Sequence, residues 1–461
     1  MKKVIAIVAV AFLFMVAALV ITKKIEDYYG VDGDALLAQS QANNANKKNN
    51  SGNVNSSTAG SKGNAYTEME VSVKDVEDKG NNDVAVAAPT EAGTTTLELK
   101  VLATLNNDDW NKRSEAGLVG NKIDQVVNQS RGKYYFDNMP EELRQAYAEI
   151  YILVTGRAVE VPLCIVDEKD IDKVFNCVLA DYPEIFYVSG YSYIRHLTGN
   201  QVIKVDFSAK YTHGEQDVAD ANEYLEKYYE KFESGLPVNA SEYEKVKYTY
   251  EFIIINTEYN LAAPDNQNIM FVAYYRESVC LGYAKMFQYL LNRLGVECTL
   301  CVGKCNGEGH AWNLVNVDGS YYYVDVTWGD ASYSSAFTTT SPMSEVVYDY
   351  LLVTTDDISS NHVFECVVPM PRCISTINNY YVKEGLYFNN VDKAGLSNAF
   401  ERGYMSGSGI CTIKCANKVI YNDMYKHLID DQKVFDYIKG GSDSLSYGMN
   451  EEALTYTFIL E

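Results

Sequence analysis

Positive charge is what this sequence has least of. Lys and Arg number 39 against 62 Asp and Glu, which leaves a net charge of −23. A chain of that sign repels phosphate backbones, so nucleic acid is excluded as a partner. Repeats are also missing: no period of roughly 20–50 residues recurs, which excludes a solenoid. No Asp-rich ligand loop is present, so an acidic surface that attracts cations in general is all there is to suggest calcium. Apolar residues are not short. They make up 47% of 461 residues, enough for two or three folded units. The 38 tyrosines suit half-buried sheets and polar-rimmed clefts alike, so they select no function.

The N-terminus carries the one long hydrophobic run. Lys2 and Lys3 precede "VIAIVAVAFLFMVAALVIT", residues 4–22, which contains no charge and ends in Lys23 and Lys24. At about 1.5 Å per residue the run spans roughly 28 Å, close to a bilayer core. A cleaved signal has a shorter apolar region and a small-x-small cleavage site. The run therefore predicts a single-pass anchor or uncleaved signal, with residues 1–3 as a cytoplasmic tail and the bulk of the chain extracellular. If the segment is cleaved, the protein is secreted. No lipobox-type cysteine follows. Residues 23–95 are rich in Asn, Ser, Gly and Lys and read as a disordered linker.

From about Thr96 the pattern becomes globular. "TLELKVLATL" alternates like a strand. "MPEELRQAYAEIYILVTG", residues 139–156, has helical spacing with Pro140 near its start. Residues 96–235 read as a small α+β domain without a catalytic constellation; its His196 and His213 are isolated. Residues 241–370 form a second block, and 374–461 a small tail reading β-α-β-α-β, with "YYVKE" as its first strand.

The chemistry concentrates in "SVCLGYAKM", residues 278–286. Ser278 can cap the helix that follows. Leu281, Ala284, Phe287, Leu291 and Leu294 form one stripe, and Gly295 ends it. Cys280 then lies in the first turn, where free amides and the helix dipole favour a thiolate and can hydrogen-bond an oxyanion. A thiolate nucleophile wants a base, and the base an orienting partner. "GHAWNLVNVDGSYYYVDVTWGD" supplies both on a hairpin that turns at Asp318-Gly319. Pairing Val317 with Ser320 sets Trp312 opposite Asp325 and His310 opposite Thr327. His310 and Asp325 become diagonal neighbours on one face, roughly 6–8 Å apart at the backbone.

With these residues in hand, "SVCLGYAKMFQYLLNRLGVE", the hairpin and the upstream "DNQN" resemble the transglutaminase-like superfamily. The resemblance is to its exported or membrane-anchored bacterial members, and it covers about residues 241–365. It implies an α+β fold with a papain-like core, the nucleophile helix packed on an antiparallel sheet. It carries over Cys280 as nucleophile, His310 as base and acid, and Asp325 as the residue orienting His310. The expected activity is cysteine acyl transfer on protein or peptide amides through a thioester, ending in transamidation or hydrolysis. Cell-wall peptide fits that chemistry, since it offers amide acyl groups and amines, although no residue points to it. The Cys280 amide and the Gln267 side chain are the oxyanion candidates, and Trp312 is a candidate cleft wall. No cofactor and no metal are expected.

Two readings stand against this one. Cys298, Cys301 and Cys305 have a metal-like spacing, but "VECTLCVG" reads as a strand, which turns Cys298 and Cys301 to opposite faces. The core could also be catalytically inactive and serve as an extracellular protein-binding or scaffold module. Thiol reactivity at Cys280 separates that case from an enzyme.

Overall fold

A computed structural model describes residues 69–77, 101–263, 266–331, 346–440 and 445–460. The expected anchor at 4–22 and most of the expected linker lie outside these residues. Among the described residues, no helix is long and apolar enough to cross a membrane.

The described chain is α+β, with helices laid against three four-stranded sheets. The first sheet holds, in spatial order, Glu70–Glu77, Val188–Thr198, Gln201–Tyr211 and Val161–Pro162. Its first strand corrects the sequence expectation, which placed residues 70–77 in the linker. "EVSVKDVE" carries three β-branched valines and pairs in parallel with the long strand Val188–Thr198. Cross-strand ion pairs hold its ends: Arg195 to Asp75 at 2.6 Å and Lys210 to Glu70 at 2.9 Å. "TLELKVLATL" is a second correction. Its described part, from Val101 on, is the end of a helix followed by a turn, with Val101 and Leu102 buried.

The helix predicted within 139–156 forms where the spacing places it, and a second follows it. Arg144–Thr155 follows a short 3-10 turn at Glu141–Leu143. Glu168–Asp181 starts at Asp167, whose carboxylate accepts from the amides of Lys169 and Asp170. Beneath them lies a buried ion pair. Arg113 donates to both carboxylate oxygens of Glu149, at 3.1 and 2.6 Å, and to the carbonyl of Pro162 at 2.6 Å. Glu149 also accepts from the Cys164 amide at 2.9 Å and from Gln145 at 3.0 Å.

The second sheet carries the site. Its strands, in order, are His362–Phe364, Cys298–Cys305, Glu308–Val317 and Ser320–Val324, all antiparallel. The hairpin has the expected register, Val317 opposite Ser320, and pairs on to Asn313 opposite Val324. There the ladder stops, and Asp325 opens a turn rather than continuing the strand. The helix Cys280–Arg293 packs on this sheet, with Asn313 Nδ2 donating to the Ala284 carbonyl at 3.0 Å. Upstream of the cysteine stretch lies the helix Ile269–Tyr275. Asn268 caps it by accepting from the Phe271 amide, and Ile269, Val272 and Ala273 are buried.

One apolar core joins the first sheet's helices to the second sheet. Phe136, Leu153 and Val178 share it with Cys301, Trp312, Leu314 and Tyr323. Two polar bonds lace the same junction: Tyr135 Oη to the Leu300 carbonyl at 2.8 Å, and Gln288 Nε2 to the Ala180 carbonyl at 2.7 Å.

The third sheet orders Tyr387–Phe388, Ile410–Cys415, Thr455–Ile459 and Tyr447–Asn450. The helix Lys393–Met405 packs against Ile410–Cys415. The expected first strand "YYVKE" is helical instead, over Tyr380–Lys383. Asn379 caps that turn by accepting from the Tyr381 amide, and the buried Tyr381 hydroxyl donates to Asp349 at 2.6 Å. A cap and one anchored ring outweigh the β preference of a tyrosine pair.

Candidate active site

Cys280 opens the helix Cys280–Arg293 and is fully buried. Its cap residue is Val279, in extended conformation, with no side-chain cap. Ser278, expected to cap, instead donates its hydroxyl to the Asn266 carbonyl at 2.6 Å. The Val279 amide reaches the same carbonyl at 3.2 Å. The loop before Ile269–Tyr275 is thereby tied to the helix start. Gly282 makes that approach possible: a Cβ there would sit 2.0 Å from Ser278 Oγ and 3.0 Å from the Asn266 oxygen. The glycine two residues after the cysteine is thus a packing requirement.

The thiol packs with Leu281, Ala284, Leu300 and Ala311. His310, next to Ala311, interacts with the Cys280 side chain. Its Nε2 meets Asp325 Oδ2 at 2.7 Å, which leaves Nδ1 as the ring nitrogen for the thiol. Burial alone would lower the histidine's pKa, but the Asp325 charge and hydrogen bond, with the Cys280 contact, outweigh it and raise it to about 10. Asp325 is fully buried. Burial raises its pKa, yet His310 and then His362 hold its carboxyl well below the usual carboxylate range. Asp325 Oδ1 accepts from the Trp328 amide at 3.0 Å, which fixes the carboxylate from its other side.

His362 is a site residue that the sequence did not offer. Its Nε2 meets the same Oδ2 of Asp325 at 3.0 Å. It comes from the far edge strand, and Gly303 lets that strand close in: a Cβ at Gly303 would lie 2.0 Å from the Val363 carbonyl oxygen. No spacing rule links residue 362 to 325, so no local signal could have found it. His362→Leu removes one of three donors to a buried carboxylate. It is expected to cost about 1.5–3 kcal/mol; a urea midpoint equal to that of the unaltered protein would show that the bond does not matter.

His310, Asp325 and His362 each offer one ligand atom, all within 4.8 Å of one another. Both Nε2 atoms are turned onto the same carboxylate oxygen, so the three groups satisfy each other through protons. Cys298 and Cys301 enter different apolar clusters, so they do not converge on one ligand.

Of the two cleft candidates, Trp312 has no exposed surface. It lies against His310 with rings 6.0 Å apart and 23° from parallel, and meets His362 edge-on at 4.9 Å. It backs the histidines rather than walling a cleft, and its indole nitrogen has no hydrogen-bond partner among the described residues. Gln267 is half-buried and lines a cavity of about 460 Å³ with Leu281, Leu300 and Val302, the apolar neighbours of Cys280.

Residues 235–326 match the family model of the transglutaminase-like superfamily, a span that holds Cys280, His310 and Asp325. Kyphoscoliosis peptidase of Homo sapiens is 25% identical over 167 residues, 31% of this chain and 25% of that protein. The Mus musculus protein of the same name is 25% identical over 170 residues, 32% of this chain and 25% of that one. The chain thus spans about a quarter of the length of these curated relatives. A crystal structure of a TGase superposes over 38% of this chain and 57% of its own, with a TM-score of 0.23 and 16% identity.

Proposed function

We propose that this transglutaminase-like chain is a cysteine acyl-transfer enzyme acting on protein or peptide amides. The observation that carries the reading is His310, whose Nε2 meets the buried Asp325 carboxylate at 2.7 Å and whose ring interacts with the Cys280 side chain. In that arrangement the Cys280 sulfur attacks an amide carbonyl, and the carbonyl oxygen takes the negative charge. The helix-start amides stabilise it, with Gln267 as a second donor. His310 gives its proton to the departing ammonia or amine, leaving a thioester on Cys280. Water or an amine then adds to the thioester while His310 takes its proton, and the thiol is released. Asp325 holds the imidazole in one tautomer throughout. Trp312 excludes water from the His310–Asp325 bond, which strengthens it.

The second nucleophile is set by the cleft, so hydrolysis and transamidation share every step up to the thioester. The apolar run at 4–22 supports a surface-anchored enzyme whose substrates are extracellular, cell-wall peptides among them.

The test is the pH dependence of iodoacetamide labelling at Cys280, beside release of ammonia or amine from glutamine-containing protein. Labelling that persists at pH 6 and collapses in His310→Ala is the expected result. Cys280→Ala should remove all amide turnover. Labelling of Cys280 like an ordinary thiol in both proteins would sink the enzymatic reading and leave a binding module.

A further inference from the structure

The cavity beside the nucleophile helix contains a cation that the mechanism does not use. Lys285 lies one helical turn after Leu281, and both line the cavity. No hydrogen bond or ion pair engages its ammonium among the described residues. Burial without compensation lowers its pKa to about 8. Lys285 is half-buried rather than sealed off, so its ammonium can meet a ligand that enters the cavity from solvent. Among the described lining residues the one carboxylate is Glu365, and it is taken by Lys304 at 2.7 Å. His213 lines the same cavity. Its Nδ1 meets Thr212 Oγ1 at 2.8 Å, so Nε2 is the atom left to face a ligand. Between these two donors the walls are apolar, formed by Leu179, Phe186, Val188, Leu281, Leu300 and Val302. Further polar lining comes from Asn176, Ser189 and Thr212 and from Asn266–Asn268, the loop tied to the start of the Cys280 helix.

We propose that this cavity is a subsite for a substrate carboxylate, bound by Lys285 with His213 as second donor and the apolar walls excluding water. The ligand class is a peptide that presents an acidic side chain or its own C-terminal carboxylate next to the amide undergoing attack. On a chain of net charge −23, one sheltered cation makes a selective site, because the surrounding surface repels anions. The subsite deepens the acyl-transfer reading, since it names that enzyme's substrate, but binding to it does not require a working thiol.

The experiment uses the full chain with Cys280→Ser, so that nothing turns over. Binding is measured by calorimetry for three probes: acetyl-Ala-Glu-Ala-amide, its neutral match acetyl-Ala-Gln-Ala-amide, and acetyl-Ala-Gln-Ala with a free C-terminus. At least one carboxylate probe is expected to bind about tenfold or more tighter than the neutral match. Which one does so identifies the source of the carboxylate. Lys285→Met in the same background should erase the preference, and Lys285→Arg should keep most of it. Equal binding of all three probes, or a preference that survives Lys285→Met, overturns the proposal. If Lys285→Met does not fold, a Lys285→Arg protein that binds the neutral probe as tightly as the acidic ones overturns it too. A carboxylate preference on a chain whose Cys280 proves inert would leave the subsite standing and remove only the enzymatic reading.

Discussion

Asp325→Ala is expected to abolish the reactivity of Cys280 at pH 6 by two orders of magnitude or more and to destabilise the fold by about 3–5 kcal/mol. Three donors converge on that one carboxylate: the Nε2 atoms of His310 and His362 and the Trp328 amide. Alanine strands all three in a buried site. Asp325→Asn is the informative companion. It keeps the shape, but its amide nitrogen faces histidine nitrogens that now donate, so at least one ring must change tautomer. Reactivity should fall nearly as far, with a smaller loss of stability.

The cost depends on pH in a fixed direction. His310 is raised from 6.5 to about 10, so its share of stability is complete below pH 6.5 and is lost as pH rises through 10. Asp325 is lowered, so its share is complete above the ordinary carboxylate value of about 4 and is lost as pH falls beneath it. The difference in unfolding free energy between the unaltered protein and Asp325→Ala should therefore be widest between about pH 4 and 6.5. Urea titrations at pH 3, 5.5 and 10 would show it. A difference that is flat with pH would mean the pair is not ionised.

Glu149→Ala is the second large effect, and it lies far from Cys280 in sequence. It leaves the Arg113 guanidinium buried at 1% exposure with the Pro162 carbonyl as its remaining acceptor, and it removes the partner of the Cys164 amide. The expected loss is about 3–5 kcal/mol, because an uncompensated buried charge replaces a hydrogen-bonded pair. Glu149→Leu combined with Arg113→Met should recover most of it. If the double substitution is as unstable as the single one, packing rather than charge is the cause.

Local chemistry made part of this molecule readable. Cys280 announced itself by position: a polar turn ahead of it and an apolar stripe behind. His310 and Asp325 were found because Asp318-Gly319 fixes a hairpin, and a hairpin fixes a register. The partners that meet only in three dimensions were not readable. His362 reaches Asp325 because Gly303 admits an edge strand, and the cavity around Lys285 is assembled from several separate stretches of chain. Ser278 has a capping residue's identity, yet the Asn266 carbonyl takes its hydroxyl. The strand at Glu70–Glu77 was hidden by the polar composition around it, and "YYVKE" by a tyrosine pair whose cap at Asn379 lies just outside it.

The apolar core that runs from Leu102 to Cys373 also sets an order of events during synthesis. The first sheet and its helices leave the ribosome with one wall of their core missing, and Trp312, Leu314 and Tyr323 complete it only much later. At ordinary elongation rates that wait is on the order of 10 s. Throughout it, Phe136, Leu153 and Val178 stay open to any apolar partner that arrives first. That seam is therefore the last part of this core to close.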